Sequence, residues 1–442
     1  MFRKLELVVA ALLLLMVRPY AGAQETLAGT GYSPYSLFGF GDMSRIGSTY
    51  NLSMGGIGIG DRNVRYLNFI NPAAVTAREP RSFMMDFGLE NRNVLYQGNA
   101  STSLGTSAEG SLTSASNSFN MHHIVASLPI GTKGAFKLGI MPYSTIAYDF
   151  KSEETSDELL ASVGDISYEK VGQGGVYQAV LGAGVTLWNR LSVGADLNYY
   201  FGSLSRYSTA EFTTSSSYRT LRSGWDYNVS CFGGKVGVQY SQRISNALGA
   251  IIGATYQIPS SLRGGEKRYA YGESSSKTDT ITNNSFPLSG YTVPGEIGAG
   301  VSLRYADKWM VGFDYTRQDW RGVLFEGTPG VDFSAGVAQS FKAGFELTPN
   351  RYDVRHWLRR ITYRGGAYRE RSYVNLGGEP VYSTGVTLGI GIPVFRYYNS
   401  INVGIDLGQR GTLTNNLIRE RYFLFTVSFN LHDIWFIPVL YQ

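Results

Sequence analysis

A two-residue rhythm, sustained for eleven residues at a stretch, constrains this chain more than anything else in it. Leu191, Val193, Ala195, Leu197, Tyr199 and Phe201 alternate with Ser192, Gly194, Asp196, Asn198 and Tyr200. Phe83, Met85, Phe87 and Leu89 alternate in the same way with Met84, Asp86, Gly88 and Glu90. Successive side chains of a strand point to opposite faces, so each such run carries one apolar face and one weakly polar one. The rhythm returns at Ile297 to Tyr305, Trp309 to Tyr315, Phe341 to Leu347, Val386 to Ile392, Ile401 to Leu407 and Phe423 to Leu431. Strands of soluble sandwiches average about five or six residues, whereas strands that cross a bilayer need about nine to eleven. These runs are of the longer kind, and their second face is too rich in Gly, Ser, Asp, Asn, Lys and Arg to form another packed core. A closed barrel with lipid outside and a polar lumen fits both faces.

The connections support that reading. Ile130 to Gly134, Trp188 to Arg190, Ser241 to Asn246 and Ala306 to Lys308 are tight joints. Between them fall long polar segments at Gln97 to Asn117, Lys151 to Asp165, Ser205 to Tyr218, Pro259 to Tyr291 and Arg317 to Asp332. Outer-membrane barrels have short periplasmic turns and long extracellular loops, and this order predicts an all-β, transmembrane antiparallel β-barrel of about fourteen strands with both termini periplasmic. At the N-terminus, Arg3 and Lys4 precede an apolar run from Leu7 to Val17 and the small residues Ala21, Gly22 and Ala23, the pattern of a secretion signal over 1–23. The run is too short for a comfortable membrane helix, and no later stretch approaches the roughly 18 apolar residues such a helix needs.

Residues 24–80 are a different kind of sequence. Tyr32 to Ala77 is rich in Gly and Ser, carries Gly55, Gly56, Gly58 and Gly60, and has neither a helical nor a strand period. It cannot bury a core of its own, so its expected place is inside the barrel as an N-terminal lumenal plug, with the wall at 81–431 and a periplasmic tail at 432–442. The 54 Gly, 31 Tyr and 23 Phe among 442 residues suit such a wall. The net charge of +5 is spread along the chain, which argues against nucleic acid and suits contact with outer-membrane lipid headgroups.

A plug ahead of the first strand, ending in Asn71-Pro72-Ala73-Ala74, with about fourteen strands behind it, resembles the FadL family of outer-membrane transporters. The stretches SPYSLFGFGD (Ser33 to Asp42), GQRGTLTNNLIRE (Gly408 to Glu420) and DIWFIP (Asp433 to Pro438) are most similar to its Bacteroidota branch. The resemblance implies passive uptake of long-chain fatty acids or similar hydrophobic small molecules. It also admits a second class, since that branch includes barrels that serve as non-transporting subunits of secretion or assembly complexes, with protein partners in place of a ligand.

Three sets of residues are candidate functional positions. Asn71, Pro72 and Ala73 form the plug motif, where proline stiffens the handover from plug to wall. Met141, Pro142 and Tyr143 interrupt the third strand. Proline cannot donate a ladder hydrogen bond, so a bulge or a parting of strands is expected there, and the resemblance implies a lateral opening that Asn71 and Pro72 face from inside. Asp42, Arg45, Arg62 and Arg65 of the plug, and Asp86, Glu90, Asp196, Arg304, Asp314, Glu346, Arg364 and Asp406 at inward wall positions, are expected to pair across the lumen, because unpaired buried charge is costly. Pro349 to Arg360, basic with Trp357 and Leu358, reads as a rim piece that meets lipid headgroups or a periplasmic partner.

Catalysis finds little footing. His122 and His123 are neighbours on one strand and point to opposite faces unless a bulge intervenes, and His432 falls beyond the last expected strand. Cys231 reads as a small packed residue. The sequence calls for no enzyme, cofactor or metal.

Overall fold

The structure, a computed structural model, describes residues 32–99, 111–154, 156–212, 218–274, 277–287, 291–323, 325, 332–394, 398–414 and 417–434. The expected secretion signal and residues 435–442 of the expected tail lie outside the described residues. Fourteen strands form the wall: β1 (Ser82–Asn99), β2 (Ser111–Ile130), β3 (Gly134–Glu153), β4 (Ile166–Leu187), β5 (Leu191–Phe212), β6 (Thr220–Arg243), β7 (Leu248–Gln257), β8 (Glu296–Tyr305), β9 (Trp309–Asp319), β10 (Val337–Leu347), β11 (Thr362–Leu376), β12 (Glu379–Pro393), β13 (Ser400–Arg410) and β14 (Arg419–Ile434). Each pairs antiparallel with the next, and β14 pairs with β1 from Ser82↔Ile434 to Gln97↔Arg419, which closes the barrel. Closure satisfies the backbone without helices, and no helix among the described residues is long and apolar enough to cross a membrane.

Period two sets the faces as expected. Leu181, Leu197, Val311, Phe313, Phe345 and Leu388 are exposed on the outside, while Asp196, Asp314 and Glu346 are buried inside. Two boundaries differ from the sequence reading. Segments read as loops are partly strand: Ser111–Asn117 falls within β2 and Ser205–Phe212 within β5, a strand of 22 residues, about twice what a bilayer needs. Within Pro259 to Tyr291, Gly264–Glu273 and Thr278–Pro287 form a hairpin laid against the upper half of β6. Both faces of these extensions are polar, so hydropathy alternation is silent where backbone pairing continues. The last strand also runs three residues past its expected end, and His432 is buried within it rather than lying in a solvated tail.

The N-terminal segment packs against the inner faces of the wall. It holds 3-10 turns at Pro34–Leu37 and Pro72–Thr76 and one short helix, Thr49–Leu52, whose Ser48 cap accepts from the Asn51 N–H. Lumen-facing glycines make the room. A Cβ on Gly194 would strike Pro72, one on Gly253 would strike Ile59, and one on Gly344 would strike Met54. Within the segment, Gly55 (φ +72°) and Gly56 (φ +85°) turn the chain where side chains are disfavoured.

The wall is not uniformly zipped. β2 and β3 pair only from Ile124↔Ile140 down to Ile130↔Gly134. Above Met141 the two part, and the register of β3 against β4 slips between Pro142 and Ser144. The N-terminal segment takes the freed edge of β3: Asp42 pairs with Thr145, Met43 with Ser144, and the Ser33 and Ser44 N–H groups donate to Ala147 O and Tyr143 O.

The outer stripe generates a stability prediction. Val311→Arg should cost about 2–4 kcal/mol in a bilayer unfolding titration if it lies near the midplane, while Thr280→Arg in the exposed hairpin should lie within about 0.5 kcal/mol of wild type. Gly312 and Asn402, on the inward face, lie against Ile57 and accept from Arg364 respectively, so substitution there should destabilise through the interior instead.

Candidate functional site

The interior is organised by charge. Arg304 of β8 reaches Asp61 of the N-terminal segment at 3.1 Å and Glu346 of β10 at 3.0 Å, and Arg364 of β11 meets the other Glu346 oxygen at 3.2 Å. The Arg364 guanidinium lies over the rings of Tyr50 and Tyr66, 4.6 and 4.5 Å from their centroids, and these two rings stack on each other. The Tyr50 hydroxyl donates to Asp61 at 2.8 Å. Higher up, Arg45 donates to Asp406 (2.6 Å) and Glu370 (3.2 Å) and stacks over Tyr368 at 3.8 Å. Asp42 accepts from Arg410 (2.6 Å) and Arg92 (3.3 Å).

Not every expected pair forms. Asp314 meets no arginine of the segment; its carboxylate accepts the backbone N–H groups of Gly58 and Ile59 at 2.7 and 2.8 Å. Arg62 finds Gln239, Thr76 and the Ala73 carbonyl rather than a carboxylate. Arg65 pairs with Asp307, in the exposed turn between β8 and β9. Asp196 pairs within the wall, with Lys137 at 2.9 Å, and Lys137 also donates to Phe69 O. Sequence reasoning missed Arg92, Glu370 and Arg410, although each continues the inward phase already carried by Glu90, Arg364 and Asp406. The signal was there, two, six and four residues further along.

Asp86 and Glu90 pair with histidines. A bulge in β2 sets Gly88 opposite His123 and Leu89 opposite Met121, with His122 as the extra residue. Both rings therefore sit inside, with Nδ1 atoms 2.9 Å apart, His123 Nε2 2.5 Å from Asp86 and His122 Nε2 3.9 Å from Glu90. The expectation of opposite faces fails for that reason. Among the described residues no cluster of His, Cys, Asp or Glu could hold a metal ion.

Asn71 accepts the Ala73 N–H through Oδ1 and donates through Nδ2 to Ile59 O (2.9 Å) and Val238 O (3.3 Å). With Pro72 it lies against Gly194 of β5 and Gly237 of β6, not against Pro142. The residue at Tyr143 is Ser44, and the sequence of Ser33 to Ser44 carries no motif that announces strand pairing.

A chamber of about 440 Å³ remains between segment and wall, lined among others by Asp42, Arg45, Arg92, His122, Pro142 and Tyr143. At the long-loop end, Phe40, Trp320, Phe325 and Tyr373 pack together over the segment, with Trp320 and Tyr373 centroids 4.7 Å apart. At the other rim, Asp353 accepts the N–H groups of Arg355 and His356, and these backbone donors hold its carboxyl below the usual range. The same loop exposes Val354 and Leu358, and Tyr363, on the outer face of β11, donates to Leu358 O.

The family model named BamG matches residues 1–442, the whole chain. The chain belongs to the BamG family. No curated protein matches it at a significant level. Among solved structures, it is similar to the Ralstonia pickettii toluene transporter TbuX (TM-score 0.54, 15% identity, 87% of this chain and 97% of that one). It is similar also to a Pseudomonas aeruginosa FadL homologue (0.54, 12%, 89% and 100%) and to the Pseudomonas putida toluene transporter TodX (0.54, 13%, 90% and 100%). At these identities the likeness is one of fold: a BamG-family chain built as a FadL-like outer-membrane barrel.

Charge pairing here yields a graded prediction. Arg304→Met leaves Asp61 without its arginine and should lower stability in a denaturant titration by about 3–5 kcal/mol. Arg321→Met, which breaks an exposed pair with Asp319, should leave the denaturation midpoint nearly unchanged.

Proposed function

We propose that this chain is a non-transporting barrel subunit of an outer-membrane protein assembly or secretion complex, and that its N-terminal segment is a fixed plug. One observation carries the reading: the segment is fastened to β1, β8, β11 and β13 by ion pairs and to β9 by backbone bonds to Asp314, so clearing the lumen would strand several charges at once. The residual chamber is lined with both signs of charge and capped by aromatic rings, a poor path for an apolar solute. The match to the BamG family model over the whole chain, beside a likeness to the named transporters in fold alone, agrees with a barrel kept for its wall. The reading needs no enzyme chemistry and no cofactor.

Passive uptake of hydrophobic small molecules is the second reading, favoured by the parting of β2 from β3 at Pro142 and by the FadL-like fold. In that case the ligand leaves through the wall, and Met141, Pro142 and Tyr143 line its exit. In both readings the tight turns face the periplasm, and the Trp357–Arg360 turn rests at the lipid interface, since its anchor Tyr363 is on the outer face.

Purification in a gentle detergent followed by mass spectrometry separates the two. Stoichiometric protein partners, with uptake of hydrophobic compounds unchanged on deletion, are the expected result. Co-purified lipid-like ligand without partners, and lost uptake in Pro142→Val, would instead establish transport. Orientation is checked alongside: an epitope at Leu159 should be labelled on intact cells and one at Thr132 only after permeabilisation.

A further inference from the structure

Among the described residues, the parted seam leaves one edge of the wall without a ladder partner. β2 is paired to β1 from Asn99↔Ser111 to Met84↔Ser127, apart from the bulge at His122, so the backbone of Ser111–His123 is held as a strand. On its other side the ladder to β3 stops at Ile124, and among the described residues none pairs in a ladder with Ser111–His123 on that edge. The N-terminal segment does not fill the role, because its short strand is spent on β3 at Ser144 and Thr145. The chamber reaches β2 only at Asn120, Met121 and His122 among the described residues, and the edge continues past them.

Depth makes the open edge costly. Seven rungs separate the tight turn from the start of the seam. At about 3.3 Å per residue and a tilt near 40°, that is roughly 18 Å up an apolar band about 25 Å tall. The edge therefore begins in the outer leaflet, where unpaired N–H and C=O groups lack water to bond, and rises from there through the interface. The outward side chains at its foot are apolar: Phe119 and Met121 are exposed on β2, and Leu138 and Ile140 just below the seam on β3. Nor is the edge blunted. Exposed edges are normally protected by Pro, Lys or inward charge, yet Ser111 to Met121 (SLTSASNSFNM) contains no proline and no charged residue.

We propose that the Ser111–His123 edge of β2 is a docking seam that accepts an extended strand from a second, different membrane-embedded protein. The added strand bonds its backbone to β2 and turns apolar side chains outward beside Phe119 and Met121, as in other cases of strand addition to a sheet edge. The occupant is thus an uncharged, alternating segment. The inference names the contact by which the proposed complex subunit meets a neighbour, and it rests on that reading.

The test places a photoreactive phenylalanine analogue at Phe119 or Met121 in the full-length protein in intact cells, with Phe345, equally outward on the far wall, as control. Heat-modifiable migration on a gel shows that each variant is folded. The expected result is an adduct from both seam positions to one partner, mapped by mass spectrometry to residues two apart in a single extended segment, and no such adduct from Phe345. Adducts to lipid alone, to a second copy of this chain, to scattered partner sites, or equally from Phe345 would overturn the seam. If stoichiometric partners purify with the chain but the seam positions give no adduct, the seam is wrong while the subunit reading stands.

Discussion

The interior of this barrel depends on the pairing of charges that cannot reach water. A lone ion at such depth costs several kcal/mol, and the attraction of a partner repays that only when geometry is close and the remaining donors and acceptors are met. Glu346 meets this demand with two arginines, Arg304 and Arg364, and Arg364 completes its surroundings with Asn402 and two tyrosine rings. Because Arg304 also holds Asp61, the fold of the N-terminal segment and the register of β8, β10 and β11 are tied to the same few atoms. The lumenal glycines follow from this: charges can meet at hydrogen-bond distance only if the backbone of the segment lies directly on the wall.

The two ends of the segment are held differently. Its middle is set by charge and by backbone donors to Asp314, whereas its first residues behave as part of the wall, adding a short strand to β3 where the ladder to β2 ends. Proline at 142 accounts for the break, since it removes a ladder donor and shifts the register against β4 by one residue. The same residue thus opens a wall position and creates the β3 edge that the segment occupies. The other edge, on β2, is left as the contact surface proposed above.

Much of this was legible in the sequence. Period two located the strands, their inward charges and the proline break, because each of those signals is local and repeats along the chain. The parts that were not legible depend on contacts far apart in sequence. His122 became an inward residue through a bulge set by its partner strand, which no single-strand pattern reports. Asn71 came to rest on Gly194 and Gly237 through the path of the whole segment. The polar strand extensions of β2 and β5 escaped because hydropathy alternates only where one face meets lipid. Arg92, Glu370 and Arg410 were within reach and needed only the inward phase to be followed further.

The central claim, that the segment closes the lumen and is fastened there by charge, is tested most directly by conductance in planar bilayers. The intact chain should show no steady ion current under moderate voltage, and the doubly substituted Arg45→Met, Arg304→Met protein should show stepwise openings as the segment loosens. A steady open-pore current from the intact chain, or silence from a folded and inserted double variant, would contradict the account.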